Sequence, residues 1–200
     1  MSTSISSSRW DGGVSPYGMI WPKMMMWWFI VTDGLLFAGF LSGYAYSRGA
    51  AETWPEQSRV FNMTLISSMT FVLITSSATM ATAVAAARKN DLKTASRFLF
   101  ATVIGGLIFL GMQGFEWYTM IHEGARPDRN PWGPPAFSAY FFLITGFHGT
   151  HVLIGVVTLL VVAIRSALGK GTADGIEVAG LYWHFVDLVW VFIFGGFYLI

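Results

Sequence analysis

Residues 136–164 read AFSAYFFLITGFHGTHVLIGVVTLLVVAI, a run without Asp, Glu, Lys or Arg. A bilayer core is crossed by ~20 mostly apolar residues, each advancing a helix by about 1.5 Å. This run is long enough to cross with tilt. Four further segments pass the same test, at 24–46, 60–87, 97–121 and 179–200. The expected fold is all-α: a polytopic membrane bundle of five transmembrane helices, forming one domain over 24–200 behind a polar tail at 1–23.

Composition agrees with that reading. Hydrophobic residues make up 54% of the chain and charged residues 12%, where a soluble domain carries about 25% charge. The chain has no cysteine, which excludes a disulfide framework, thiolate zinc sites, iron–sulfur clusters and Cys nucleophiles. A formal net charge of +1 gives no signal for a nucleic-acid partner. The Ser-rich start lacks a charged stretch followed by a short apolar one, so no cleavable signal peptide is expected. The connections carry loop punctuation, including Pro55 in the first, four prolines across 122–135, and Gly169, Gly171 and Gly175 in the last.

Orientation follows from Lys and Arg. Arg9, Lys23, Arg88, Lys89, Lys93, Arg97, Arg165 and Lys170 fall on one side; Arg48, Arg59, Arg126 and Arg129 fall on the other. Eight against four places the N-terminus in the cytoplasm and the C-terminus outside. Gly39-xxx-Gly43, the Ser/Ala-rich second span, Gly105-Gly106 and Gly195-Gly196 are read as places where helices approach closely.

Ionisable groups inside spans cost at least ~2.5 kcal/mol each, so they face a partner or a cavity. The candidates are Asp33, Glu116, His148, His151, His184 and Asp187. His148 and His151 are three apart and share a helix face, as do His184 and Asp187. Counted from the inner side, Asp33 and Asp187 both lie about 12–14 Å deep and could belong to one layer; His184 is shallower, His148 and His151 nearer the middle, and Glu116 near the outer end. Asp33 sits among Phe, Ile, Val and Leu and is read as neutral, partnered or proton-exchanging. A di-iron site needs paired Glu-x-x-His motifs, which are absent. A haem held by two His needs both at one depth, which these spacings do not give. No catalytic, cofactor or metal site is therefore expected. The six residues are read as an interhelical hydrogen-bond network, or alternatively as groups that move protons or tune a neighbouring subunit.

Phe147-His-Gly-Thr-His-Val-Leu-Ile-Gly155, followed by Tyr182-Trp-His-Phe-Val-Asp-Leu-Val-Trp190, resembles the paired signatures F-H-G-x-H-V-x-x-G and Y-W-H-F-V-D-x-V-W of subunit III of the haem-copper respiratory oxidases. Gln113-Gly-Phe-Glu-Trp-Tyr118 is similar to that family's acidic-aromatic segment, and Asp33 to its buried carboxylate, which is often Asp in the quinol-oxidase branch. The resemblance runs from about residue 23 to the end and fits the five-helix bacterial form. It implies a non-catalytic subunit of a complex that reduces dioxygen and pumps protons. Haem and copper would lie in partner subunits, subunits I and II would be partners, and phospholipid would be bound. Supercomplex partners are possible on the same grounds. The chain would reside in the bacterial cytoplasmic (inner) membrane, with Asp33 as the carbodiimide-reactive carboxylate supporting proton uptake. Two alternatives stand beside it: a subunit III-like accessory protein of a nitric oxide reductase system, and a stand-alone transporter or cofactor-binding protein.

Overall fold

The structure, a computed structural model, describes residues 19–199. The readings made on the Ser-rich tail, on a signal peptide and on Arg9 lie outside those residues. Five helices are long and apolar enough to cross a membrane. They are α1 (Trp21–Ala50), α3 (Met63–Arg88), α4 (Leu92–His122), α5 (Pro135–Ala167) and α6 (Ala173–Ile193), the last continuing through a π-helical turn, Phe194–Leu199. A four-residue helix, α2 (Gln57–Val60), lies in the first connection. No strand occurs among the described residues.

The helices outrun the apolar segments that announced them. α1 begins at Trp21 and ends at Ala50, and α6 begins at Ala173 rather than 179. A helix keeps its hydrogen-bond ladder beyond the hydrocarbon boundary until a capping residue stops it. Those caps are visible. Asn62 accepts from the N–H groups of Thr64 and Leu65, Asp91 from Thr94, and Thr172 from Gly175. Asn62 also explains why α3 starts three residues after position 60. At the other ends, α3, α4 and α5 are each followed by a left-handed residue: Asn90 (φ 60°), Gly124 (φ 98°) and Gly169 (φ 70°). After each, an N–H reaches back five residues, from Asp91 to Ala86, Ala125 to Met120 and Lys170 to Arg165, closing a Schellman-type end.

Packing follows the small residues in part. α3 lies along α4 and α4 along α5, the two most extensive contacts; α6 touches α3, α5 and α1. α1 rests mainly on α5 and α6, and its apolar stretch is the least covered of the five while that of α6 is the most covered. Gly105 brings α4 against Ser76 of α3, and Gly106 receives Trp183 and Val156. Of the other expected close approaches, Gly43 meets Tyr140 and Gly196 meets Leu41 only at ordinary contact distance, whereas Gly39 and Gly195 have open space. The G-xxx-G spacing on α1 therefore makes one contact rather than a helix–helix seam. At one membrane face Lys23 of α1 pairs with Glu177 of α6, and Arg88 of α3 reaches the same Oε1 at 2.9 Å, so three helix ends are held together.

A Cβ added at Gly106 would lie 2.6 Å from both Val156 Cγ2 and the Trp183 ring; at Gly111 it would meet nothing within 4 Å. Gly106→Ala is expected to destabilise the bundle by about 1–3 kcal/mol through overpacking. Gly111→Ala is expected to be neutral or to stabilise by up to ~1 kcal/mol through helix propensity. Thermal unfolding of both variants in mild detergent distinguishes these outcomes.

Candidate functional site

Asp33 and His151 meet across the α1–α5 contact. Asp33 is 8% exposed and its Oδ2 lies 3.4 Å from His151 Nε2, in ion-pair range, although no hydrogen bond to Oδ2 is completed. The other ring nitrogen, His151 Nδ1, is 2.9 Å from the carbonyl oxygen of Phe147, one turn back on α5. A carbonyl only accepts, so Nδ1 carries a proton and Nε2 faces the carboxyl. Nε2 and Oδ2 are thereby set opposite each other across the α1–α5 contact. Phe147, Phe37 and Phe29 surround the ring at centroid distances of 4.6, 5.6 and 6.4 Å. Tyr182 of α6 donates its hydroxyl proton to the His151 carbonyl at 3.0 Å, which ties the third helix to the pair.

Sequence spacing put His148 on the same face as His151, but their partners differ. His148 is fully buried, with Trp190, Phe109 and Phe37 rings at 5.2, 5.7 and 6.3 Å, and neither ring nitrogen has a hydrogen-bond partner. The Phe37 ring lies edge-on to both histidines.

Toward the C-terminal end of α4, Glu116 Oε2 accepts from Gln113 Nε2 at 2.8 Å and from the Tyr198 hydroxyl at 3.0 Å, while its Oε1 has no partner. Tyr198 comes from the π turn that follows α6 and is fully buried. On the α3 side of α6, His184 Nδ1 is 2.7 Å from Ser77 Oγ, which also faces Asp187. Asp33 and Asp187 thus have different partners, on α5 and α3 respectively, despite their similar depth along the chain. Because α6 starts at Ala173, His184 stands about 16 Å along it, nearer the middle than spacing from residue 179 implied.

Indole donors complete the bonding between α6 and α3. Trp183 Nε1 donates to Ser76 Oγ at 3.1 Å and Trp190 Nε1 to Thr70 Oγ1 at 3.0 Å. Tyr198 and Thr70 were not singled out from sequence. Tyr198 meets Glu116 across 82 residues through a local departure from α-helical winding, for which the sequence carries no readable signal. Among the described residues no group of three or more His, Cys, Asp or Glu is placed to hold a metal ion.

The sequence profile described as cytochrome c oxidase subunit III matches residues 15–200. The chain is 35% identical over 173 residues to a probable cytochrome c oxidase subunit 3 of Nocardia farcinica, covering 84% of this chain and 83% of that one. It is 35% identical over 176 residues to cytochrome c oxidase subunit 3 of Alkalihalophilus pseudofirmus, covering 86% and 84%. It is also 34% identical over 178 residues to quinol oxidase subunit 3 of Bacillus subtilis, again covering 86% and 84%.

Tyr198→Phe removes one of two donors to a buried carboxyl oxygen and is expected to cost about 1–3 kcal/mol. Tyr118→Phe, at a side chain 66% exposed, is expected to stay within about 0.5 kcal/mol of the parent. Unfolding of the purified protein in detergent, followed by tryptophan fluorescence, checks both values.

Proposed function

The chain belongs to the cytochrome c oxidase subunit III family, and on that premise we propose that it stabilises the catalytic subunit of a proton-pumping terminal oxidase, retains phospholipid beside it, and keeps an exchangeable proton on the Asp33–His151 pair. The family resemblance and the five apolar spans make it a multi-pass membrane subunit of an oxidase complex. Haem and copper are assigned to the partner subunits, in keeping with the family. The orientation inferred from Lys and Arg, with the N-terminus cytoplasmic, and the bacterial inner membrane are part of the same proposal.

The observation that carries the reading is the Asp33–His151 contact in its aromatic shell. Water is scarce at such a position, so moving a proton between the two groups replaces a charged pair with a neutral one and changes the local field strongly. Glu116 and His148 supply further buried polar atoms without protein partners. We assign Asp33 and His151 to proton exchange. Glu116, His148, His184 and Asp187 are assigned to fixing helix positions, with His184 also facing outward.

Phospholipid has a matching surface. A groove of about 410 Å³ runs between α1, α5 and α6, past Met26, Phe29, Ile154 and Tyr182 to His151. It shares Val162 and Gly175 with a crevice of about 280 Å³ that holds Arg165 and Lys170. Two cations at a membrane face above an apolar groove suit a phosphate headgroup with its acyl chain below, at roughly 1 kcal/mol per cation.

Three experiments test these assignments. Dicyclohexylcarbodiimide, a lipid-soluble reagent for protonated carboxyls, is expected to label Asp33 in the intact complex, and Asp33→Asn is expected to abolish the label; label persisting in the variant refutes the assignment. Arg165→Ala with Lys170→Ala is expected to lower co-purifying anionic phospholipid about 30-fold, as read by lipid mass spectrometry of the purified complex. Unchanged lipid would remove the headgroup site. Haem-bearing subunits co-purifying in equal amounts with the tagged chain support the oxidase reading, and their absence would return weight to a reductase-associated accessory protein.

A further inference from the structure

The rings that wall the Asp33–His151 contact are not alike. Phe37 is 3% exposed and packs against Phe147 and both α5 histidines. Phe147 is partly buried and sits one turn before His151 on the same helix. Phe29 is 40% exposed. It precedes Asp33 by four residues on α1, so the two side chains leave the same face of that helix, one turn apart. One side of its ring rests on α5 and α6. Its centroid lies 6.4 Å from His151 at an interplanar angle of 29°, 5.9 Å from Tyr182, and 6.4 Å from Phe185, which it meets edge-on. The rest of the ring is open to the groove of about 410 Å³, which it lines together with Met26, Ile154 and Tyr182.

Ring contact alone keeps Phe29 in place, because a phenyl group carries no polar atom. Tyr182, the other aromatic wall of the groove, is instead tethered by its hydroxyl to the His151 carbonyl oxygen at 3.0 Å. A side chain turns between staggered rotamers where there is room for it, and for Phe29 the groove supplies that room. The opposite flank of α1 offers no equivalent. The groove there, of about 430 Å³, is closed toward the pair by Phe37 and Phe185, both buried. Asp33 itself is buried. A molecule dissolved in the acyl-chain region therefore reaches the carboxyl by displacing a side chain, and Phe29 is the ring with room to be displaced.

We infer that Phe29 is the lid between the lipid-facing groove and the Asp33–His151 pair, and that it decides which molecules of the membrane interior reach the pair. With the ring stacked on His151, bulky uncharged molecules are kept off the carboxyl. With the ring turned into the groove, the carboxyl opens to them. Phe29 is a positioning residue: it holds no proton, and it sets the fraction of time for which Asp33 is open to lipid. The inference rests on the proton-exchange reading of Asp33, and the test separates the two.

The rate at which carbodiimides label Asp33, read by peptide mass spectrometry of the intact complex in native membranes, reports the lid directly. Phe29→Ala is expected to speed labelling by the lipid-soluble dicyclohexylcarbodiimide about tenfold, because the rate follows the population in which the carboxyl is open. Phe29→Leu, which refills the position with an apolar side chain, is expected to bring the rate most of the way back. Trp28→Ala removes a ring that is 61% exposed on the same turn of α1 and is expected to leave the rate unchanged. A water-soluble carbodiimide does not arrive through the groove, and its rate is expected to be the same in Phe29→Ala as in the parent. A dicyclohexylcarbodiimide rate that Phe29→Ala does not raise, or a rise shared equally by Trp28→Ala or by the water-soluble reagent, overturns the lid and leaves Asp33 as the reactive carboxyl. Label absent from the parent but present in Phe29→Ala supports the lid. Label absent from Asp33 in both overturns the lid together with the proton-exchange reading.

Discussion

Inside a bilayer a polar group finds its partner in protein or goes without, and this constraint organises the whole chain. Backbone groups are satisfied by the helices themselves. Side chains need neighbours, and α6 supplies most of them. Its two tryptophans donate to α3, its Tyr182 donates to α5, and Tyr198 beyond its end donates to α4. The helix that touches α1, α3 and α5 is also the helix whose donors close the gaps between them. Apolar attraction between helices is weak where the solvent is itself hydrocarbon, so such bonds and the close approach at Gly105 and Gly106 hold the bundle.

Much of this was legible in the sequence because span length and the cost of buried charge are local properties. Five apolar runs gave five helices, and their signatures gave the family. The ends were less legible. Apolar counting stops where hydrocarbon stops, whereas the helix stops where Asp91, Thr172 or Gly124 makes it stop. Once those caps are recognised, the early start of α6 follows, and with it the central position of His184.

The pairing of the polar residues was legible only in part. Depth along a helix can be counted, but rotation and lateral neighbours cannot. Asp33 and Asp187 matched in depth and still found different partners, because one faces α5 and the other α3. His148 and His151 are adjacent on one helix, yet one meets a carboxylate and the other a cage of rings. The G-xxx-G on α1 marked a seam that only Gly43 uses, since small residues permit contact without supplying a neighbour. Tyr198 depended on the π turn, which rotates the chain end inward in a way that no residue pattern announces.

The loose seating of α1 bears on how the protein is made. Its main partners, α5 and α6, are synthesised after α3 and α4. Between the emergence of Asp33 and of His151 the ribosome adds more than a hundred residues, on the order of ten seconds at ordinary elongation rates. Throughout that interval α1 lies in lipid with an uncompensated acid, while α3 and α4 can already zip together as a hairpin. α1 is thus made well before the helices that hold it, and the arrival of His151 gives Asp33 its partner. A membrane chaperone or neighbouring subunit that shelters a lone acidic helix would act in that window and would have no further hold once the bundle closes.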